Sequence, residues 1–243
     1  MNSMKKSILL IIGFTYSILT LAQKQYTIEG KVEDKKLNKS TVYIYEYSDL
    51  LSSVEDFKEE NFTIIDSTTI QNNQFRFSNV LPKKQPVLCL LYVPAMKYPF
   101  QVALEAGTIE VEILKGGANV PYYSTLKGTP INNDLDNYLL KTIRDITKLT
   151  NEMEGNSDAE KLQEILGILT KISTEMNANA STLVNKYIQF DPLGEQLLFT
   201  FFPLLEEEDL NKLKPKLSKE TLEKLAKKEQ EMKEQLQNFP SPF

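Results

Sequence analysis

The amino-acid sequence predicts a segregated α+β fold, in which an N-terminal antiparallel β-sandwich is followed by a C-terminal helical region. Residues 26 to 126 contain several short segments in which apolar and polar side chains alternate, as they do in strands with one wet face. From residue 130 onward, the apolar residues recur at the spacing of an α-helix. The change of period predicts a β-sandwich domain over residues 23–128 and a helical region over residues 129–243.

The predicted strands can be taken in chain order. Asn72-Asn73 separates two of them and suits a hairpin turn, because asparagine tolerates a positive φ. Ala106-Gly107-Thr108 forms a tight link between two others. The segment from Val87 to Val93 is apolar throughout, so we expect this strand to be covered on both faces. The predicted strands cover residues 26–32, 41–47, 62–70, 74–77, 87–93, 100–104 and 109–113.

The helical part has its own start and stop signals. Thr129 is the predicted cap of a helix that carries Pro130 in its first turn, where the missing N–H costs nothing. Gly155-Asn156 ends that helix, and Ser157-Asp158-Ala159-Glu160 is a capping box that opens the next. A shorter helix follows Asp191-Pro192. The last helix, from 219 to 236, is rich in Lys and Glu with a thin apolar stripe, which predicts that it lies on the surface or contacts something else.

Residues 1–22 have the composition of a signal peptide. Lys5 and Lys6 precede an apolar run from Ile8 to Ala22, and Thr20-Leu21-Ala22 provides the small residues of a cleavage site. The run is shorter than the ~20 residues that a membrane span needs, so we expect no stable membrane insertion after cleavage. No cysteine comes directly after this apolar run, which excludes a lipoprotein anchor at this site. The predicted location is therefore periplasmic or extracellular.

The composition excludes several kinds of active site. The chain has no histidine, which rules out a Ser-His-Asp triad, a Cys-His dyad and any histidine-ligated metal or haem. A single cysteine leaves no internal disulfide and no CxxC motif. A formal net charge of −5 without a basic face argues against nucleic acid as a partner. We expect no cofactor, no metal and no catalytic residue.

Two segments carry residue types that could have a chemical role. Cys89 is a thiol in the most apolar predicted strand, where desolvation suppresses the reactive thiolate, so buried packing is the favoured interpretation. The segment from Asn132 to Asp136 is rich in oxygen ligands and resembles a calcium loop. It lacks the glycine and the distal Glu of an EF-hand, and acidic residues also stabilise a helix N-terminus. The structural interpretation is favoured for both.

Three tyrosines are the best candidates for a binding role. Tyr43, Tyr45 and Tyr47 recur with period 2 and so share one face of a predicted strand. This face could stack a sugar ring or a peptide, or it could cover the sheet beneath a packed helix, with the hydroxyls at the rim. Because the 87–93 strand needs cover from the helical half, we expect a seam between the two halves, with a cleft along it.

The strand region resembles the domain of unknown function that precedes thioredoxin-like AhpC/TSA domains in exported thiol-disulfide interchange proteins of Gram-negative bacteria. The helical region, including residues 185–194, is similar to the linker of that family. The resemblance implies the same fold and the same compartment. The motifs that carry it are Tyr26–Gly30, Val42–Tyr45, Ile65–Thr68 through the hairpin to Phe77, Leu104–Ile109 and Leu126–Asn132.

The sequence is expected to depart from that family in one respect, the redox domain. In that family a redox domain with a CxxC motif would begin at about residues 238–243, and we expect none in this sequence. The sequence thus predicts an exported, non-enzymatic interaction module of the cell envelope, with an unknown envelope protein or ligand as its partner. The alternative is an accessory to thiol-disulfide exchange or the envelope stress response, without redox chemistry of its own. A carboxylate-dependent glycan hydrolase is the weakest hypothesis, because the chain has no Trp and no evident acid pair.

Overall fold

The computed structural model describes residues 24–47, 61–83, 85–96, 98–117, 120–154 and 156–238. It confirms the segregated α+β class, with strands up to residue 127 and helices from residue 130 onward. The predicted signal peptide, residues 1–22, lies outside the described residues.

Eight strands form two four-stranded sheets, with the orders β4-β1-β7-β8 and β3-β2-β5-β6. The strand pairs are antiparallel except for β1 and β7, which run parallel. Between these two strands the chain forms β2 and β3 of the second sheet, β4 of the first, and then β5 and β6 of the second, before β7 enters the first sheet beside β1. The strands are β1 Gln25–Val32, β2 Thr41–Tyr47, β3 Phe62–Thr69, β4 Gln74–Val80, β5 Val87–Tyr92, β6 Phe100–Leu104, β7 Gly107–Lys115 and β8 Tyr122–Lys127.

The predicted turn at Asn72-Asn73 is confirmed. Both residues have positive φ angles, 52° and 63°, as a two-residue hairpin loop of this kind requires. Gln71 and Gln74 exchange backbone hydrogen bonds of 2.8 and 2.9 Å across it. Because β3 and β4 belong to different sheets, this turn forms a corner that joins the two layers.

One glycine of the strand region has a clear packing reason. Gly30 in β1 lies opposite Phe75 in β4, and a Cβ at residue 30 would come within 2.0 Å of the Phe75 ring. Any larger side chain would displace that ring, which is buried in the core. Gly30 and the Phe75 ring therefore share one packing site in the core.

Strand β5 lies at the centre of the core, as predicted from its apolar sequence. Residues 87–91 are all buried, and the helix over Leu193–Phe201 covers one face of the strand. Gln196 of that helix accepts a hydrogen bond from the backbone N–H of Leu88 at 2.7 Å and donates one to its carbonyl at 3.3 Å. A single hydrophobic cluster contains residues of both halves, so the helices and the sandwich share one core.

The helices of the described residues are α1 Pro130–Leu135, α2 Lys141–Glu154, α3 Ala159–Tyr187, α4 Leu193–Phe201, α5 Glu207–Leu213 and α6 Lys219–Asn238. A π-helical turn, Asp136–Leu140, joins α1 to α2, so the predicted first helix is continuous with one wider turn in it. The predicted capping box before α3 is shifted by one residue. Asp158 has the extended backbone of a cap and accepts from the N–H groups of Glu160 and Lys161, whereas Ser157 stays outside.

Helix α6 lies on the surface, as its composition predicted. Thr221 and Leu225 are buried, and the other described side chains of the helix are half-buried or exposed. Lys224 ties the helix to α4 through an ion pair with Glu195 at 3.2 Å. Within the described parts of the chain, the helices are all too short or too polar to cross a membrane.

Candidate functional site

The oxygen-rich segment 132–136 joins the sandwich to the helices. Asn132 is fully buried, and its side chain pairs with the backbone of Ala103 in β6 as a neighbouring strand would. Its Oδ1 accepts from the Ala103 N–H at 3.0 Å, and its Nδ2 donates to the Ala103 carbonyl at 2.8 Å. Since a buried amide is costly unless it is hydrogen-bonded, this pairing holds α1 against the edge of the sheet.

Thr129 is the N-cap residue of α1, as predicted, but its side chain makes no cap hydrogen bond, and the side chain of Glu105 takes that role. The buried Glu105 carboxylate accepts from the N–H groups of Ile131 and Asn132 at 2.8 and 3.2 Å. The Thr129 hydroxyl instead accepts from the Asn132 side chain at 2.9 Å. A carboxylate stabilises helix N–H groups better than a hydroxyl does, and β6 delivers Glu105 to that position.

The two aspartates of the segment are also occupied by partners within the protein. Asp136 forms two hydrogen bonds with Arg144, at 2.7 and 2.9 Å, and accepts the backbone N–H of Leu126 at 3.0 Å. Asp134 accepts from both Lys186 and Tyr187 of α3. The segment therefore acts as a structural junction, and the described residues contain no group of three or more metal-ligating His, Cys, Asp or Glu side chains.

The predicted tyrosine face is largely inside the protein. Tyr45 is 1% exposed and Tyr47 is 8% exposed, whereas Tyr43 is half-buried against the core. The Tyr45 ring packs against those of Phe62 and Tyr92, with centroids 6.4 and 6.3 Å apart. This burial supports the packing alternative for Tyr45 and Tyr47, and it leaves no open aromatic strip on β2 for a ligand to stack on.

A cleft does lie along the seam between the two halves, and it is the candidate functional site. It has a volume of about 400 Å³ and lies between β6, β8, α2, α3, α4 and α6. We call it the seam cleft. Its walls are mainly apolar, and six aromatic residues contribute to them: Tyr98, Phe100, Tyr122, Tyr123, Phe199 and Phe201.

The seam cleft adjoins two buried hydroxyl groups that lack hydrogen bonds. Ser124, which lines the cleft, is 3% exposed, and its Oγ has no partner among the described residues. The hydroxyl of Tyr47 lies near Thr200 and Gln101, two cleft residues, without hydrogen-bond geometry to either. Burial raises the pKa of Tyr47, and weak polar contacts with the Thr200 and Gln101 side chains lower it by less. Such unpaired groups are rare in protein interiors and require an explanation.

One aromatic wall of the cleft is held in place by a hydrogen bond. The Tyr122 hydroxyl donates to Asp34 at 3.1 Å. Partial burial and this carboxylate raise the pKa of Tyr122. The pKa of Asp34 is lowered, chiefly because its carboxylate accepts the backbone N–H of Lys36. The bond ties the start of β8 to the loop that follows β1, and so fixes the Tyr122 ring at the cleft.

Sequence reasoning predicted the seam but not the residues that line it. The aromatic side chains come from three separate stretches of chain, around residues 98–100, 122–123 and 199–201. Two of these stretches are visible as short aromatic clusters in the sequence. These three stretches come together because α4 packs against β5, and no local sequence pattern reveals that contact.

A second, larger groove of about 620 Å³ lies at the other side of the sandwich. Its lining is strongly charged, with Glu29, Lys31, Arg76, Glu110 and Glu112 among its residues. The ion pair between Arg76 and Glu29 is more than half exposed on both sides, so water screens it. The groove has neither the apolar walls nor the unpaired buried groups of the seam cleft.

Cys89 is fully buried in β5, as predicted, and desolvation raises the pKa of its thiol. The thiol is thus protonated and shielded from reagents.

Comparison with known proteins supports the resemblance found in the sequence. A comparison with curated proteins gives no significant match. The family model described as Domain of unknown function (DUF4369) matches residues 26–135, which span the whole sandwich and continue through α1. The matched region thus ends at the junction formed by Glu105, Asn132 and Asp136. Residues 26–135 of this chain, the sandwich and α1, are therefore similar to the domain of unknown function DUF4369.

Proposed function

We propose that the protein is an exported, non-enzymatic binding protein of the cell envelope, and that the seam cleft is its binding site. The observation that carries the proposal is a pair of buried hydroxyls without hydrogen bonds, that of Ser124 in the wall of an aromatic cleft and that of Tyr47 beside its lining residues Thr200 and Gln101. A small number of polar groups in an apolar cavity is the usual composition of a ligand site. A bound ligand would supply the missing hydrogen bonds.

The absence of histidine from the sequence supports a role without catalysis. Its one thiol is buried, and the raised pKa disfavours the thiolate needed for disulfide exchange. Of the acidic residues near the junction, Glu105 and Asp136 already hold backbone N–H groups, so neither is free to act as a general acid. A glycan hydrolase therefore remains the weakest hypothesis.

Export is proposed from the leader-like composition of residues 1–22 and from the compartment that the family resemblance implies. Within this compartment, an accessory role in thiol-disulfide exchange or envelope stress remains the alternative. The protein would then recognise the same partners as its thioredoxin-bearing relatives, without any redox step of its own.

The proposed site is tested by blocking it. Thr200 in α4 is a half-buried residue of the seam cleft, and Thr200→Trp would place an indole in the cavity. Thr182→Trp on the exposed side of α3 is the matched control. The full-length chain, expressed with its leader and purified from the envelope fraction, would be analysed by native mass spectrometry.

We expect a bound species of defined mass on the wild-type protein and on Thr182→Trp, and its loss on Thr200→Trp. Intact mass of the same samples reports whether residues 1–22 have been removed. A ligand that persists on Thr200→Trp would place the binding site elsewhere. If no bound species is found on the wild-type protein, the proposed binding function would be contradicted.

A further inference from the structure

The chemistry of the seam cleft defines the class of ligand that it can hold, an inference that rests on the proposed binding function. Of the described residues that line the cleft, Lys228 at the α6 side is the one with a charge, and none is acidic. Lys228 already has an interaction partner within the protein. A charged ligand would therefore lose its hydration against apolar walls without an opposite charge free to replace it, which is strongly unfavourable. The cleft thus favours a neutral ligand.

The shape and the walls of the cleft favour a small aromatic molecule. Its volume of about 400 Å³ lies within the range of small-molecule sites, about 300–1,000 Å³, and is too small for a folded partner. Tyr98, Phe100 and Phe199 are among the rings that form the walls. Aromatic rings pack well against one another in offset or edge-to-face arrangements. A flat, unsaturated ligand body would gain most from such walls.

The two unpaired hydroxyls indicate where the ligand needs a polar group. Ser124 is in β8, and the Tyr47 hydroxyl lies near Thr200 of α4 and Gln101 of β6. A hydroxyl can donate or accept, so either an N–H or an oxygen of the ligand would satisfy it. The Ser124 Oγ and the Tyr47 hydroxyl are both covered in the free protein, so cleft side chains have to move for these contacts to form.

We infer that the seam cleft binds a neutral small molecule that has an aromatic body and at least one hydrogen-bonding group, with the Ser124 and Tyr47 hydroxyls as its polar contacts.

The probe for this inference is N-phenyl-1-naphthylamine, a neutral two-part aromatic molecule with a single N–H, whose fluorescence rises in an apolar site. Its charged counterpart, 8-anilinonaphthalene-1-sulfonate, has the same aromatic body with a sulfonate added. Titration of the full-length, ligand-stripped protein with each probe compares the two. We expect saturable binding of the neutral probe at one site, and binding of the sulfonate that is about tenfold weaker or more.

Two variants, each with a matched control, locate the site. Thr200→Trp should abolish binding of the neutral probe, and the control Thr182→Trp should leave it unchanged. Ser124→Ala should weaken binding about threefold to tenfold. It should not lower the melting temperature, because it removes a hydroxyl that has no partner among the described residues. Ser78→Ala on the exposed side of β4 is the matched serine control.

The possible results separate this inference from the proposal on which it rests. Equal or stronger binding of the sulfonate, or no saturable binding of the neutral probe, would overturn the ligand class. If native mass spectrometry still showed a bound species that Thr200→Trp removes, the proposed site would stand and only its ligand chemistry would be wrong. Neutral-probe binding that survives Thr200→Trp, or that Ser124→Ala leaves unchanged, would also overturn the inference.

Discussion

The unpaired hydroxyl of Tyr47 leads to an unusual prediction, which is that its removal should stabilise the ligand-free protein. Tyr26 provides a matched comparison. Both rings are in the core, at 8% and 2% exposure, but the Tyr26 hydroxyl donates to Asp66 at 3.3 Å, whereas that of Tyr47 has no partner among the described residues. Tyr47→Phe and Tyr26→Phe therefore remove the same atom from a buried ring with opposite consequences.

The magnitudes follow from the cost of burying a polar group. A buried hydroxyl without a partner costs about 1–3 kcal/mol of stability. Because its removal leaves a small void that costs part of this gain, Tyr47→Phe should raise the free energy of unfolding by about 1 kcal/mol. Tyr26→Phe loses one hydrogen bond to a carboxylate that keeps the backbone N–H of Ser67 at 2.8 Å, and should cost about 1 kcal/mol. For a chain of this size each change corresponds to about 2–4 °C in melting temperature.

Urea unfolding and thermal melts of both variants, in ligand-stripped protein, measure these differences. Tyr47→Phe should raise the midpoint and Tyr26→Phe should lower it, with unchanged m values. If Tyr47→Phe lowered stability as much as Tyr26→Phe does, its hydroxyl would have a partner in solution. The Tyr47 hydroxyl would then not be an unsatisfied group beside the cleft.

Three further predictions concern Glu105 at the junction, the thiol of Cys89 and the fall in stability at low pH. Glu105→Ala removes the cap of α1 and leaves two buried N–H groups without an acceptor, so it should cost about 2 kcal/mol in urea unfolding, and a loss below about 0.5 kcal/mol would contradict this role. Cys89 should react with a thiol reagent only as fast as the protein unfolds, so fast labelling of the native chain would show that β5 is accessible. The pKa of Asp34 is lowered in the folded state, so its stabilising effect is present above its ordinary value near 3.8 and is lost as the pH falls through the lower folded value. Asp34→Asn should therefore make the fall in the free energy of unfolding below about pH 4 less steep. The same pH dependence in the variant and the wild type would exclude this contribution of Asp34.

Local sequence patterns predicted those parts of the fold that depend on local chemistry. The Asn72-Asn73 turn follows from the tolerance of asparagine for positive φ, and the burial of residues 87–91 follows from their unbroken apolar run. The boundary near residue 129 follows from the change of period. The parallel pairing of β1 with β7 could not be predicted in this way, because it depends on how the chain crosses between sheets.

In the candidate site, too, local patterns predicted some features, while others depend on distant parts of the chain. The period-2 tyrosines of β2 are not an open face, because Tyr45 packs against Phe62 and Tyr92, Tyr47 is buried near Thr200 of α4, and Tyr43 is half-buried. Local rules correctly placed the N-cap of α1 at Thr129, but the side chain that accepts the first N–H groups belongs to Glu105, about 25 positions before the helix. The seam cleft gathers side chains from segments about 100 residues apart, and its unpaired hydroxyls are visible only when burial and partners are known together.

The most direct test of the central claim is to map the bound probe on the protein by NMR. Methyl-labelled full-length protein would be titrated with N-phenyl-1-naphthylamine while the methyl signals are followed. Ile143 and Met176 line the seam cleft, whereas Ile64 and Ile168 are exposed side chains that do not line it. We predict saturable shifts at Ile143 and Met176 with unchanged signals at Ile64 and Ile168. Shifts confined to Ile64 or Ile168, or no shift at Ile143 and Met176 at saturating probe, would contradict the assignment of the seam cleft as the binding site.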